Sequence, residues 1–165
     1  MEMQKIKCDV ALFIAEGAHA GRVPFAPGTV GTLVGVLLYL LISRLPLTWY
    51  VVVGILMAAV GTWAAGVAEV VLQRKDAQSI VIDEIVGYLV AMTAVPHSWG
   101  FILVGFILFR CFDIIKPWPL RRLQEMHGGV GIMVDDIGAG VYTNILLQIL
   151  STVLAGGSVS RSTVG

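Results

Sequence analysis

Two pairs of adjacent carboxylates interrupt apolar runs of this chain. Asp83 and Glu84 lie within "IVIDEIVG", and Asp135 and Asp136 lie within "IMVDDIGAG". Neighbouring residues of a helix point about 100° apart, so the two side chains of a pair point in different directions. Each can then contribute to one of two adjacent sites. Because carboxylate oxygens without cysteine or clustered histidine suit Mg²⁺ better than zinc, the pairs predict a magnesium site. Acids in a first helical turn also favour the helix dipole, which is the alternative for either pair taken alone.

A third segment, "FRCFDIIKPWPLRR", adds a fifth carboxylate together with positive charge. Arg110, Asp113 and Lys116 follow one another at intervals of three residues, so they lie on one face of a helix. Cations beside a carboxylate cluster are what a phosphate ester needs alongside its metal. We therefore predict that Arg110 and Lys116 contact a phosphate or pair with Asp113. The aromatic and basic residues that follow fit a lipid-headgroup anchor instead: Trp118, Arg121 and Arg122.

Two glycine-rich stretches, "PFAPGTVGT" and "HGGVG", precede the first and the last apolar helix. Backbone N–H groups at such helix starts can hold an anion, so the predicted substrate-binding residues include Gly28, Thr29 and Thr32. The alternative is structural, because glycine is common in turns before helices and the threonines could cap or bond back to the helix. His127 could protonate a leaving group, although a lone loop histidine more often has no catalytic role.

The composition is that of a membrane protein rather than a soluble domain. Of the 165 residues, 57% are hydrophobic and only 13% are charged, and the mean hydropathy is +0.87. Soluble domains carry about 25% charged residues, so this deficit predicts an integral membrane protein. The formal net charge of zero gives no indication of nucleic-acid binding. The two cysteines are too few for a disulfide framework.

The hydropathy pattern predicts an all-α fold, a compact helical bundle in one domain. Five apolar helices are expected, near residues 29–43, 49–72, 80–95, 99–114 and 131–155, after a short N-terminal helix at the membrane surface. The domain covers residues 1–155, and residues 156–165 are expected to form a polar, flexible tail. The first and fourth apolar helices are short for a full crossing of a bilayer. A homo-oligomer is left open.

The basic residues predict the orientation of five crossings. One side holds most of them: Lys5, Lys7, Arg22, Arg74, Lys75, Lys116, Arg121 and Arg122. The other side holds Arg44 and Arg161. Because basic loops favour the cytoplasmic side, we expect the N-terminus and the acidic helix ends to face the cytoplasm. This layout keeps the acids away from mid-bilayer, where a charge costs about 2.5–3.5 kcal/mol.

Two other classes of protein could place acids among apolar helices. A small transporter or ion-pathway subunit would need carboxylates near mid-membrane and on both sides. A soluble helical domain could instead bury its apolar helices in an oligomer. Several phosphatase and nucleotide-binding patterns are missing from the sequence: a cysteine followed by five residues and arginine, a D-x-D after a strand, D-x-x-D-G and the P-loop.

Four segments, "PGTVGT", "IVIDEIVG", "FDIIKPWP" and "GGVGIMVDDIGAG", together resemble the phosphatidylglycerophosphatase A family over residues 25–144. The resemblance implies a Mg²⁺-dependent phosphatase of the bacterial cytoplasmic membrane that converts phosphatidylglycerol phosphate to phosphatidylglycerol. It also implies a set of acids as catalytic and metal-binding residues: Asp83, Glu84, Asp113, Asp135 and Asp136. The remaining positions that match the family's motifs are Pro27, Gly28, Thr29, Gly31, Thr32, Lys116 and Pro117.

The expected reaction is hydrolysis of the terminal phosphate at the cytoplasmic membrane face. One or two Mg²⁺ ions would bridge the carboxylates and the phosphate, and a metal-bound water would attack phosphorus. Arg110 or Lys116 would offset charge on the equatorial oxygens. A covalent aspartyl phosphate on Asp113 or Asp135 is the alternative mechanism.

Overall fold

The structure, a computed structural model, describes the backbone of residues 2–161 and the side chains of residues 2–156. These residues form helices joined by turns and loops, without a strand, so the all-α prediction is confirmed. The helices are α1 (Glu2–Ala15), α2 (Pro27–Ile42), α3 (Leu47–Leu72), α4 (Ile82–Ala91), α5 (Trp99–Ile115), α6 (Leu120–Leu123) and α7 (Gly129–Arg161), with a short 3-10 helix at Ala20–Arg22.

The five predicted apolar helices correspond to α2, α3, α4, α5 and α7, and α1 is the predicted N-terminal helix. The short helix α6 was not predicted, so the predicted number of about five was approximate. The predicted tail begins at residue 156, but the helical backbone of α7 continues to Arg161. Residues 162–165 of that tail lie outside the described part of the chain.

Helix α4 is shorter than the predicted helix 80–95, because tertiary hydrogen bonds limit it at both ends. Before it, the backbone N–H of Val81 donates to the carbonyl oxygen of Ala15, 2.8 Å away. After it, the Asn144 side chain of α7 donates to the carbonyl oxygens of Ala91 and Thr93, at 2.9 and 2.7 Å. The last carbonyls of a helix need such partners. Contacts with other segments, which hydropathy does not report, therefore set these bounds.

Among the described residues, two helices are long and apolar enough to cross a membrane: α3, and α7 over Gly129–Gly156. Helix α2 is a shorter apolar helix. Only 22% of the most apolar window of α3, and the same share of that of α7, is buried inside the bundle. The core helix of a soluble protein would be mostly buried, whereas these helices expose large side chains such as Trp49, Ile55 and Leu56. Such an exterior suits contact with lipid.

Helix α4 occupies the centre of the bundle and packs against α2, α3, α5 and α7. Glycines allow the backbones to approach closely: a Cβ on Gly87 would lie 2.7 Å from the carbonyl oxygen of Asp136 in α7. A Cβ on Gly35 of α2 would lie 3.2 Å from the carbonyl oxygen of Ile85. This packing brings the start of α4 next to the start of α2, the end of α5 and the first turns of α7.

Candidate active site

A polar cavity of about 260 Å³ opens at the end of the bundle where α2 and α4 begin and α5 ends. Most of its lining side chains can carry charge or form hydrogen bonds. The lining residues are Ala26, Pro27, Gly28, Asp76, Gln78, Ile80, Asp83, Glu84, Arg110, Asp113, Lys116 and Asp136. Four of the five predicted acids, Asp83, Glu84, Asp113 and Asp136, therefore meet in this cavity.

Three acids form the densest cluster of this cavity: Asp83 and Glu84 of α4 and Asp136 of α7. Each acid contributes one carboxylate oxygen, and these three oxygens all lie within 4.8 Å of one another. Asp83 and Asp136 are 7% and 2% exposed, and Asp83 Oδ1, Glu84 Oε2 and Asp136 Oδ2 are buried without a hydrogen-bond partner. Buried ionised oxygens without partners are costly, and a cation among them removes that cost. The donor set therefore fits a hard divalent cation.

Arg110 extends from α5 into the cavity and links two of the acids. Its Nη1 donates to Asp113 Oδ2 at 2.5 Å and lies 3.8 Å from Glu84 Oε1. The i, i+3 spacing on α5 brings Arg110 and Asp113 together, as their positions in the sequence predicted. The Nε of Arg110 is buried and has no hydrogen-bond partner. A guanidinium with a free donor in an acid-lined cavity can hold a phosphate oxygen.

Lys116 ends α5 and connects the cavity to the fifth predicted acid. Its Nζ donates to Asp135 Oδ2 and lies 3.9 Å from Asp113 Oδ1. Burial alone would lower the pKa of Lys116, but the hydrogen bond and the charge of Asp135 outweigh it and raise that pKa. Asp135 is 2% exposed and does not line the cavity, so it contacts the cavity through Lys116. The paired acids of α7 consequently have different surroundings.

Of the predicted substrate-binding residues in the first turns of α2, only Gly28 lines the cavity. A Cβ at this position would overlap Glu84 Oε1 and would lie 3.1 Å from both terminal nitrogens of Arg110, so the cavity requires glycine here. The Thr29 N–H donates to the carbonyl oxygen of Ala26 at 3.0 Å. Thr32 is fully buried, and its Oγ1 donates back to the carbonyl oxygen of Gly28 at 2.9 Å. The structural alternative therefore describes Thr32, and a role of Thr29 in substrate binding stays a prediction.

The second glycine-rich stretch packs α7 against α3. A Cβ on Gly129 would overlap the carbonyl oxygen of Thr62 and would lie 2.6 Å from the backbone nitrogen of Gly66. Gly128 has a φ of 68°, which favours glycine. His127 is exposed in the turn before α7 and is not among the residues that line the cavity. These glycines therefore serve helix packing, and the structure places His127 apart from the acids.

Asp76 is a cavity residue that the sequence analysis did not assign to the site. It lies in the loop before α4, not at the start of that helix, and its backbone adopts a φ of 48°. Its Oδ2 accepts a hydrogen bond of 2.8 Å from the Gln124 side chain, which follows α6. The spacing of seven residues before Asp83 is two helical turns, but no helix joins the two. A single acid in a polar loop carries no sequence signal of its own.

The apolar exterior and the acid–base cavity at one end of the helices are together those of a membrane enzyme that acts on phosphate esters. A family model described as Phosphatidylglycerophosphatase A matches residues 13–151. The chain belongs to the phosphatidylglycerophosphatase A family, as its four motifs predicted.

Three relatives are similar over most of their length. Phosphatidylglycerophosphatase A of Escherichia coli K12 is 35% identical over 139 residues, 83% of this chain and 81% of the relative. The protein of the same name from Haemophilus influenzae is 37% identical over 137 residues, 81% of this chain and 84% of the relative. A Bacteroides thetaiotaomicron protein named "Putative phosphatidylinositol-3-phosphatase" is 36% identical over 151 residues, 87% of this chain and 94% of the relative. No solved structure matches this chain.

Proposed function

We propose that this protein hydrolyses the terminal phosphate of phosphatidylglycerol phosphate and releases phosphatidylglycerol and inorganic phosphate. Its family and two of its relatives carry the name of this activity. One observation in the structure supports the proposal above the others: three buried carboxylate oxygens without partners lie in the same cavity as Arg110 and Lys116. Such a site combines ligands for a cation with donors for a phosphate.

The proposed ligands of Mg²⁺ are Asp83, Glu84 and Asp136, which lie close together and each have one buried oxygen without a hydrogen-bond partner. When bound, Mg²⁺ would supply Lewis-acid polarisation of the phosphoryl group and lower the pKa of water. Asp113 and Asp135, also predicted as ligands, accept hydrogen bonds from Arg110 and Lys116. We therefore propose that Asp113 and Asp135 hold the side chains of Arg110 and Lys116 in position.

Arg110 and Lys116 would bind the phosphate and offset its charge. Arg110 has a buried Nε without a partner, and its side chain is only 17% exposed, so water screens its charge little. Lys116 stays protonated because its pKa is raised. Both residues are held by carboxylates, and this fixes their positions before the substrate arrives. These two positively charged side chains would stabilise the negative oxygens of the phosphoryl group during its transfer.

Attack by water and formation of an aspartyl phosphate remain two separate mechanisms. Asp113 lines the cavity, whereas Asp135 does not, so Asp113 is the better placed of the two candidate nucleophiles. However, Asp113 Oδ2 accepts a 2.5 Å hydrogen bond from Arg110, which lowers its nucleophilicity. We favour attack by water. Rapid quenching with ³²P-labelled substrate at low temperature would detect a phosphoenzyme, and a labelled protein band would contradict this choice.

We further propose a multi-pass protein of the bacterial inner membrane with its cavity at the cytoplasmic face. Helix α3 ends just before Arg74 and Lys75, and α5 ends just before Lys116, so basic residues gather at the cavity end. The opposite end of α2 is followed by Arg44 alone. Basic residues favour the cytoplasmic side. A lipid whose tails stay in the bilayer would present its phosphate at this face of the membrane, where the cavity opens.

The ion-pathway alternative finds less support. An ion path needs polar groups through the membrane, but residues 85–112 and 137–156 contain no aspartate or glutamate. The acids of α4, α5 and α7 instead lie at one end of their helices.

The name of the Bacteroides relative supports a second candidate substrate, phosphatidylinositol 3-phosphate. Phosphate release from each lipid, measured in mixed micelles with and without Mg²⁺, would test the proposal. We expect Mg²⁺-dependent release from phosphatidylglycerol phosphate by the wild type and its loss in Asp136→Asn. Equal turnover of both lipids would make the enzyme unselective, and turnover of the inositol lipid alone would refute the proposed substrate.

A further inference from the structure

A second cavity, of about 300 Å³, lies at the end of the bundle opposite the acids. It is formed where α2 ends, α3 begins and α4 ends, and its lining includes Tyr39, Ser43, Tyr50 and His97. Along α2, Gly28 and Tyr39 are eleven residues apart, which is about 16 Å of helix. The proposed reaction uses none of these residues. They therefore need an explanation of their own.

Tyr39 is the most informative residue of this second cavity. It is 3% exposed, yet its hydroxyl forms no hydrogen bond with any residue that the structure describes. The neighbouring Tyr50 contrasts with it, because its hydroxyl donates to the carbonyl oxygen of Leu89 at 2.6 Å. The Tyr39 hydroxyl is not among the buried polar atoms that lack a partner, so it opens into the cavity, where it can donate a hydrogen bond to a bound group. Tyr39 thus points to a polar ligand in the cavity.

His97 is held at the mouth of the second cavity by two contacts. Its ring stacks on Tyr39 with centroids 5.7 Å apart and an angle of 21° between the planes. Its Nε2 lies 2.9 Å from Ser43 Oγ, within hydrogen-bond distance. His97 also lines an adjoining cavity of about 340 Å³, together with Arg44. One continuous region therefore contains a fixed imidazole, a free hydroxyl and a guanidinium.

The charges of this region select an anion. Residues 36–57, 86–108 and 144–156 meet at this end of the bundle and contain Arg44 and His97 but no aspartate or glutamate. A ligand with an amino group would find no carboxylate here, whereas a phosphate with neutral hydroxyl groups would find donors and acceptors. Exposed apolar side chains surround both cavities, namely Leu41, Leu45, Leu47, Trp49 and Trp99. They would lie beside acyl chains, and tryptophans of this kind are common at the membrane–water interface.

We propose that this end of the bundle binds the headgroup of an anionic phospholipid that carries a phosphodiester and neutral hydroxyl groups, such as phosphatidylglycerol. The phosphate lies between Arg44 and His97, and Tyr39 donates to a phosphate oxygen. The headgroup hydroxyls contact the Ser43 side chain. This site belongs to the leaflet opposite the acidic cavity, and it does not depend on the reaction proposed above.

Tyr39→Phe provides the sharpest test, because it removes a hydroxyl that no described residue uses. The purified protein would be titrated in detergent with dioctanoyl phosphatidylglycerol, dioctanoyl phosphatidylethanolamine or inorganic phosphate, and unfolding followed by tryptophan fluorescence. We expect the glycerol lipid to raise the Tm of the wild type. Tyr39→Phe should keep the lipid-free Tm but raise the half-saturating lipid concentration about tenfold, the loss expected for one hydrogen bond to a charged group.

Two further variants separate this site from general electrostatic binding. Arg44→Gln should weaken the response to the glycerol lipid, whereas Arg74→Gln, which removes an exposed charge from the loop after α3, should leave it unchanged. An unchanged lipid response of Tyr39→Phe would overturn the proposal. So would an equal response of the wild type to the ethanolamine lipid. A Tm rise of the same size with inorganic phosphate alone would mean a free anion site, and it would also overturn the assignment to a lipid.

Discussion

Gly87 of α4 and Gly140 of α7 bring two helix backbones into direct contact, since a Cβ on Gly140 would overlap the carbonyl oxygen of Gly87. Asp83 and Asp136 each precede one of these glycines by four residues, so each acid lies one turn away on the same helix face. The close crossing therefore places the two carboxylates side by side. The proposed metal-binding arrangement therefore depends on two residues whose side chains carry no functional group.

Gly140→Ala should separate these helices and reduce both stability and activity. Overpacking of this kind costs about 1–3 kcal/mol, and a small shift of Asp136 relative to Asp83 would weaken cation binding further. The measurements are Tm in detergent and Mg²⁺-dependent phosphate release. Gly54→Ala in α3 is the matched control, because a Cβ there would meet nothing within 4 Å. Full activity in Gly140→Ala would show that the crossing does not position the acids.

Asp136→Asn should remove most of the activity and raise the Mg²⁺ concentration needed for half-maximal rate. Loss of an outer-shell partner of a metal ligand costs about 10–100-fold in affinity or activity, so loss of a direct ligand should cost at least that much. Asparagine keeps the volume of the side chain and removes its charge. Glu125→Gln is the control, since Glu125 is an exposed acid outside the cavity. An unchanged Mg²⁺ requirement would remove Asp136 from the metal site.

Asp135 and Lys116 should behave as one unit in stability measurements. Lys116→Met leaves the buried Asp135 carboxylate without its partner, and such a loss costs about 3–5 kcal/mol. Asp135→Asn should cost less, because Lys116 keeps Asp113 at 3.9 Å. The double variant should recover most of the Tm lost in Lys116→Met. Additive losses in the double variant would contradict the pairing.

In activity measurements, Asp135 should behave differently from Asp136. We expect Asp135→Asn to lose nearly all activity while it still inserts into the membrane, because it releases Lys116 from its position at the phosphate. Its residual turnover should keep the Mg²⁺ requirement of the wild type, unlike that of Asp136→Asn. Titration of both variants with Mg²⁺ makes this comparison. A strongly raised Mg²⁺ requirement in Asp135→Asn would contradict this prediction and would show that Asp135 is a ligand of Mg²⁺.

Chelation should stop the reaction and leave the protein folded. We expect EDTA to abolish phosphate release and added Mg²⁺ to restore it, because the three unpartnered acid oxygens need a cation to bind a phosphate beside them. Far-UV circular dichroism, recorded on the same samples, would report the helix content. Undiminished turnover after thorough EDTA treatment would rule out the metal mechanism.

The sequence alone was sufficient to predict the five apolar helices, although not the bounds of α4 or the short helix α6. Long charge-free runs are rare in soluble proteins, so they identified the apolar helices. Acids and bases that recur at helix ends predicted a site for a cation and a phosphate, which stays a prediction. These signals are local, because residue type and helical spacing act within a few turns of one chain segment. The four motifs added the family, which the comparisons confirmed.

Only the tertiary structure decided which acid has which partner. Asp135 and Asp136 are neighbours in sequence, but the rotation of α7 about its axis directs one to Lys116 and the other to Asp83 and Glu84. Asp76 joins the cavity through a loop, and Thr32 bonds back to its own helix. These outcomes depend on where helices cross and how each is rotated. Backbone contact at glycines such as Gly87 and Gly140 sets that geometry, and spacing along one segment contains no information about it.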